Sequence, residues 1–298
     1  MATETGVSAM SGDEHTSAER ADARVGGADA VENVAADCET VHFSVGDRVE
    51  AVATVTMSRP DARNALNGQL RAELKDVFAA IEDSDVRVVV LTGADEAKAF
   101  VAGADVRELR ERTALEQREA SKRPRVYEVV DDLRQPVIAR LNGHALGGGC
   151  ELATACDVRI AHERATLGQP EITLGIMPGG GGTQRLPRLV GEGQAMRLIL
   201  SGELIDAAEA REIGLVDVVC ESDEELDEEV YGLAESMASN SPVALEFAKA
   251  AVKAGSRMDI ESGIEYEAEL FAQLFATADK NEGIDAFLED REPEWQGR

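Results

Sequence analysis

The sequence is short of lysine, of aromatic residues, of cysteine and of long apolar runs, and each shortage excludes something. Six lysines stand among 30 basic residues, against 58 acidic ones, and the formal net charge is −28. A surface of that sign repels nucleic acid and anionic membranes, so neither is expected as a partner. Acid excess combined with lysine depletion instead predicts a protein kept soluble at high salt, where self-repulsion is screened; the alternative is an acidic surface with no special habitat. No apolar run approaches the roughly 18 residues of a membrane span, and the N-terminal residues lack the apolar core of a signal peptide. A cytoplasmic location is the expectation. The four cysteines, Cys38, Cys150, Cys156 and Cys220, follow no disulfide spacing and read as free thiols in a reducing compartment.

Residues 1–40 lack still more. They contain no Leu, Ile, Phe, Trp or Tyr, and they hold nine acids against two arginines. Such a segment cannot bury enough apolar area to offset its chain entropy, which predicts a disordered acidic tail over 1–40.

From residue 41 the pattern is that of a folded domain. VHFSV and VEAVATVTM read as a strand pair around a Gly46-Asp47 turn. Leu66, Leu70, Leu74, Val77, Phe78 and Ile81 recur at three- and four-residue spacing, which predicts an amphipathic helix over 66–82. The β-branched run 86–91 and the apolar run 136–141 predict strands buried on both faces. Between them, KAFVAGADVREL reads as a strand end, a glycine turn and a helix start with Asp105 near its N-terminus, and 113–134 as helix begun afresh around Pro124. Strand and helix alternate as far as His162, the order of an α/β protein. Beyond Gly179 the chain reads as helical, near 183–190, 194–200, 207–213, 223–237, 242–254 and 261–277. On the last two segments Val243, Phe247, Ala251 and Ala254 form one apolar face, and Ile264, Phe271, Leu274 and Phe275 another, stripes that read as core.

The chemistry concentrates in residues 141–185, LNGHALGGGCELATACDVRIAHERATLGQPEITLGIMPGGGGTQR. An apolar run turns at Asn142-Gly143 and passes through three glycines into an alanine-rich helix with Glu151 in its first turn. Glycines there let backbone approach a ligand, and a helix start presents unpaired N–H groups. A second carboxylate, Glu171, follows Pro170. Taken singly, each glutamate is a helix-start carboxylate favoured by the dipole. Together, beside exposed N–H donors, they can do acid and base work on a carbonyl compound whose oxygen becomes negative.

Other glycine-rich chemistries fail on detail. A P-loop needs Gly-Lys-Ser/Thr, but Gly182 is followed by Thr183-Gln184. A dinucleotide fingerprint needs a third glycine where Leu152 stands. The Gly-x-Ser-x-Gly elbow of serine hydrolases is missing. His144, Cys150, Cys156 and His162 recur every six residues, too far apart for the close ligand pairs of small zinc modules, so no metal is expected.

HALGGGCELATACD, LGQPEITLGIMPGGGGTQRL, KAFVAGADVREL and the earlier Asn64-Ala65-Leu66 resemble the enoyl-CoA hydratase/isomerase (crotonase) family, from about residue 41 to the C-terminus. The resemblance implies a crotonase-like ββα spiral core over 41–240 and a C-terminal helical trimerisation region over 241–298, giving a homo-oligomer, a trimer or a dimer of trimers. It also implies a site. Glu151 and Glu171 would be the catalytic pair, and the Ala104 and Gly148 N–H groups the oxyanion hole. Ala102, Ala104, Asp105, Arg107 and Gly148 would bind the CoA part of an acyl-CoA substrate, Ala102 at the adenine and Arg107 near the phosphates. Because both glutamates are kept, hydration of a 2-enoyl-CoA to a 3-hydroxyacyl-CoA, as in fatty-acid β-oxidation, is favoured. The alternatives are an isomerase or a dehydratase of the same fold, or an idle scaffold or RNA-binding member. No cofactor is implied beyond the CoA carried by the substrate.

Overall fold

The computed structural model describes residues 27–298, and the chain enters it in a helix, α1 (Ala28–Ala36). The disordered tail expected over 1–40 is thereby corrected in its second part, while residues 1–26 lie outside the described residues. Small apolar side chains suffice for this helix. Val31 is fully buried, Val34 and Ala35 pack on the core, and the Ala28 N–H donates to Asp85 Oδ1 at 3.0 Å.

The strand pair follows as β1 (Val41–Val45) and β2 (Val52–Met57), joined antiparallel. β2 begins later than its sequence pattern because Ala51 takes a left-handed conformation with φ +59°. The first long helix, α2 (Gly68–Glu82), begins after Leu66, where the Asn67 side chain accepts the Leu70 N–H at 2.9 Å. Next come β3 (Val88–Gly93), β4 (Ala99–Val101), α3 (Val106–Glu111), α4 (Ala114–Ala120) and α5 (Val126–Asp132). The central stretch folds as β5 (Val137–Leu141), β6 (His144–Leu146), α6 (Gly148–Ala153), β7 (Val158–His162) and β8 (Thr166–Gly168). It leads to α7 (Gly182–Val190), α8 (Glu192–Ser201), β9 (Leu204–Asp206), α9 (Ala207–Glu212), β10 (Val218–Cys220) and α10 (Asp223–Ala238). A terminal arm of α11 (Pro242–Gly255), α12 (Ile260–Leu274) and α13 (Ala278–Glu289) completes the chain.

The larger sheet runs β1-β2-β3-β5-β7-β10, parallel throughout except for β1. Both of its faces are covered, which is why β3 and β5 are buried at every residue and read as continuous apolar runs. Val88, Val90, Ile138 and Ile160 share a core with Leu226, Val230 and Ala234 of α10, while Val89, Leu91 and Ala139 share the other with Leu70, Leu74 and Phe78 of α2.

The smaller sheet, β4-β6-β8-β9, positions the site. Its strands β4, β6 and β8 are parallel neighbours, so the segments that leave their C-terminal ends emerge side by side. Those segments are 102–105, the start of α6, and 169–171.

Candidate active site

The segment after β4 is tied down by backbone bonds. Ala102 N–H donates to Arg63 at 3.0 Å, Leu66 N–H to Gly103 at 2.8 Å, and Asp105 N–H to Leu66 at 3.0 Å. These bonds fix the loop on either side of Ala104 and leave the Ala104 N–H out. After β6, Gly148 is the first residue of α6, so its N–H has no partner within the helix. The two amides come together: a Cβ on Gly148 would lie 3.5 Å from the Ala104 nitrogen. Close packing of the two segments depends on Gly149, where an added Cβ would stand 2.0 Å from the Val101 carbonyl oxygen.

Glu151 points from α6 into the interior, only 2% exposed. Its Oε1 accepts the Gly180 N–H at 2.6 Å and the Gly182 N–H at 2.8 Å, the latter from the first residue of α7. Burial pushes this carboxyl up from its ordinary value; the two amides and the charges of Arg125 and Arg185 pull the other way without cancelling the rise. Glu171 stands half-buried in a single 3-10 turn, Pro170–Leu174. In the amide orientation that satisfies both of its ends, the fully buried Gln169 donates to both Glu171 carboxylate oxygens, at 3.1 and 3.2 Å. Burial, with the Glu151 charge adding to it, pushes the Glu171 carboxyl up to about 7. The pair therefore offers one carboxylate rooted in N–H donors at a helix start and one that changes protonation near neutrality.

Both carboxylates, Ala102, Ala104 and Gly148 line one cavity of about 940 Å³. Tyr127 of α5 forms its wall, with the hydroxyl 3.0 Å from where a Gly148 Cβ would be. Burial first, then the Glu151 charge, raises the phenol well above its ordinary value, which keeps it a hydrogen-bond donor. Arg71, Lys75, Arg112, Lys122 and Arg125 also line the cavity, a concentration of cations on a chain of net charge −28.

The enoyl-CoA hydratase/isomerase family profile matches residues 47–298. The chain belongs to the enoyl-CoA hydratase/isomerase family. It is 46% identical to a short-chain-enoyl-CoA hydratase of Clostridium acetobutylicum over 245 residues, covering 82% of this chain and 93% of that protein. It is also 46% identical to the 2,3-dehydroadipyl-CoA hydratase of Escherichia coli over 252 residues, 84% of this chain and 97% of that protein. A crystal structure of an enoyl-CoA hydratase from Bacillus anthracis superposes with a TM-score of 0.82 at 42% identity, over 87% of this chain and 100% of that one. The mixed α/β crotonase-like fold expected from the sequence is the fold of this family member.

Within that family frame the expected residues divide. Glu151, Glu171, Ala102, Ala104 and Gly148 converge on the cavity; Asp105 and Arg107 do not line it. The Asp105 side chain caps α3 by accepting the Arg107 N–H at 3.2 Å and pairs with Arg59 Nη2 at 3.2 Å, bracing the loop that carries Ala104. Arg107 is exposed on α3. Sequence reading missed Tyr127, Gln169, Arg125 and Arg185. Gln169 had a signal, standing directly before Pro170-Glu171, whereas Tyr127 lies in a helix with no motif. The thiols of Cys150 and Cys156 are pushed up to about 12 by burial, so neither is a nucleophile near neutrality. Among the described residues no group of three or more His, Cys, Asp or Glu could hold a metal ion.

Proposed function

We propose that this protein is an enoyl-CoA hydratase, a hydro-lyase that adds water across the 2,3 double bond of a 2-enoyl-CoA. The observation that carries this reading is the convergence of two carboxylates of different surroundings, Glu151 and Glu171, with the Ala104 and Gly148 amides in one cavity. Attack of water on Cβ moves negative charge onto the thioester oxygen, where those two N–H groups receive it. Glu151, held by two amides at the start of α7, is the carboxylate that takes the proton from water. Glu171, pushed up to about 7, retains a proton near neutrality and delivers it to Cα. Tyr127 and Gln169 fix the water side of this arrangement by closing the wall and holding the Glu171 carboxyl. The chemistry calls for no redox or metal cofactor, since CoA arrives as part of the substrate.

The cations at the cavity suit the CoA phosphates, with Arg71 and Lys75 on α2 taking the role expected of Arg107. The exposed apolar faces of the arm suit a homotrimer or a dimer of trimers. Among the described residues no helix is long and apolar enough to cross a membrane. A cytoplasmic, salt-adapted enzyme fits the acid excess, and its melting temperature should then rise from low salt to molar KCl; a flat response removes the salt adaptation.

The hydratase reading is tested with a panel of 2-enoyl-CoA thioesters of graded length, following loss of the conjugated thioester absorbance. Hydration of crotonyl-CoA or a longer homologue is the expected result. Movement of a 3-enoyl double bond into conjugation without any hydration would overturn it in favour of an isomerase.

A further inference from the structure

The loop that grips Glu151 is itself gripped from outside. Gly180 gives its N–H to Glu151 Oε1, and its carbonyl oxygen accepts Arg185 Nη1 at 3.0 Å. Arg185 Nη2 reaches Asp131 Oδ2 at 3.3 Å, on the last turn of α5. Asp131 is also one of the points where the terminal arm docks, Asp157 being another, 2.7 Å from Lys249 Nζ and 2.9 Å from Lys253 Nζ. Lys253 Nζ, on α11, donates to Asp131 Oδ1 at 2.7 Å and to the Asp131 carbonyl at 2.9 Å, and Arg257, just past α11, reaches Oδ2 at 2.6 Å. The Asp131 side chain is 14% exposed; burial works against its charge, but Lys253, Arg185 and Arg257 outweigh it and hold the carboxyl below its ordinary value.

We infer that Arg185 and Asp131 are positioning residues for Glu151, and that through them the docking of α11 on the core sets the geometry of the active site. The argument rests on connectivity. The Gly180 N–H can meet the Glu151 carboxylate at 2.6 Å only if residues 179–182 hold one conformation. Those residues are glycines, with almost no side-chain packing to hold them. Their restraint comes from the arginines, Arg185 at the Gly180 carbonyl and Arg125 at the Gly179 carbonyl. Arg185 is in turn fixed by a carboxylate that it shares with two cations of the arm. Loss of Arg185 or Asp131 frees the glycines, and the proton acceptor loses its orientation while the cations at the cavity, Arg71, Lys75, Arg112, Lys122 and Arg125, stay in place. A purely structural ion pair would lower stability and leave the chemistry as it was.

The inference rests on the hydratase reading, and the test uses the full chain in its assembled state with crotonyl-CoA. Arg185→Gln and Asp131→Asn should lower kcat roughly tenfold with KM nearly unchanged, and Lys253→Met should lower it less, roughly threefold. Arg185→Lys, which can serve one partner but not both, should recover part of the loss. The decisive comparison is the double variant Arg185→Gln with Glu151→Gln. If Arg185 acts through Glu151, the double variant is no slower than Glu151→Gln alone. Multiplying losses, or an Arg185→Gln enzyme with kcat unchanged, overturns the inference and leaves the hydratase reading standing. A wild-type protein that hydrates no enoyl-CoA overturns both. Should Asp131→Asn fail to fold, Arg185→Gln with its double variant carries the same decision.

Discussion

The core and the terminal arm treat apolar surface in opposite ways. In the core, α2 buries Leu70, Leu74, Val77, Phe78 and Ile81 against the sheet, and both faces of β3 are covered. In the arm, α11 and α12 bury no residue at all, and Val252, Ile264, Phe271 and Phe275 are 75, 57, 62 and 56% exposed. The polar joints of the arm are nonetheless complete. Asp279, 2% exposed, accepts the Ser241 hydroxyl at 2.7 Å and the Gln296 N–H at 2.7 Å. The arm's polar groups are satisfied locally and its apolar side chains are not, so it holds its shape while leaving apolar surface open. On the proposed reading chemistry belongs to the closed part and association to the open part, with Asp131 among the joints between them, and the two should break separately.

The largest effect belongs to the core. Glu151→Gln should lower kcat for crotonyl-CoA roughly a hundredfold or more with KM little changed, and sedimentation should find the same assembly as in the wild type. Near-full hydration by this variant would remove the two-carboxylate mechanism. A smaller loss is expected of Gly180→Ala. Its Cβ would stand 2.5 Å from the Tyr127 ring and 2.6 Å from Glu151 Oε2, so ring or carboxylate must shift, lowering kcat by roughly tenfold. An unchanged kcat would show that the Gly180 contact does not orient Glu151.

The arm answers to a different substitution. Phe271 and Phe275 stack edge to face, with ring centroids 5.2 Å apart, on the exposed side of α12. Replacing both by Ser should dissociate the assembly on a sizing column and leave the melting of the core within about 2 °C of the wild type. An oligomer that survives both changes would mean that this face is not where copies meet.

The same contrast decides what the sequence could disclose. The strands of the larger sheet up to β7 were legible because burial on both faces leaves continuous runs such as Val88-Val89-Val90-Leu91, whereas β10, three residues inside a stretch expected to be helical, was not. Of the smaller sheet only β4 was legible, as the strand end in KAFVAGADVREL; β6, β8 and β9 were not, because three residues such as His144–Leu146 are too few for any periodicity, yet these strands bring the site together. The helix over 28–36 was missed because Val31 is the only residue it buries, and α13 because Asn281 and Gly283 interrupt its pattern. The stripes of α12 were legible as apolar; of the two readings open for them, core and the packing of copies implied by the family resemblance, their exposure removes the first, since periodicity reports a face to be covered and not what covers it. At the site, motifs named the carboxylates and the two amides. Their supports, Tyr127, Arg185 and Asp131, come from three-dimensional neighbourhood alone.

The smallest effect, and the one that ties chemistry to stability, concerns Glu171. Its carboxyl is raised from an ordinary 4.5 to about 7, so the folded chain holds that proton more tightly than the unfolded chain does. As pH rises above the ordinary value, the unfolded chain releases the proton first and the folded chain is left with the less favourable balance. Stability from this group is therefore full at acidic pH, falls between about 4.5 and about 7, and stays low above. Glu171→Gln removes the titration while keeping a side chain that can still bond Gln169. It should lose about as much activity as Glu151→Gln, yet melt about 2–4 °C above the wild type at pH 8, a gain that should shrink toward zero near pH 5. A variant that melts below the wild type at pH 8, or by the same margin at both pH values, would mean that Glu171 is at ease where it stands. A carboxyl at ease would lie near its ordinary value and could not hold a proton for Cα at neutral pH, so this one thermal measurement also bears on which of the two glutamates is the acid.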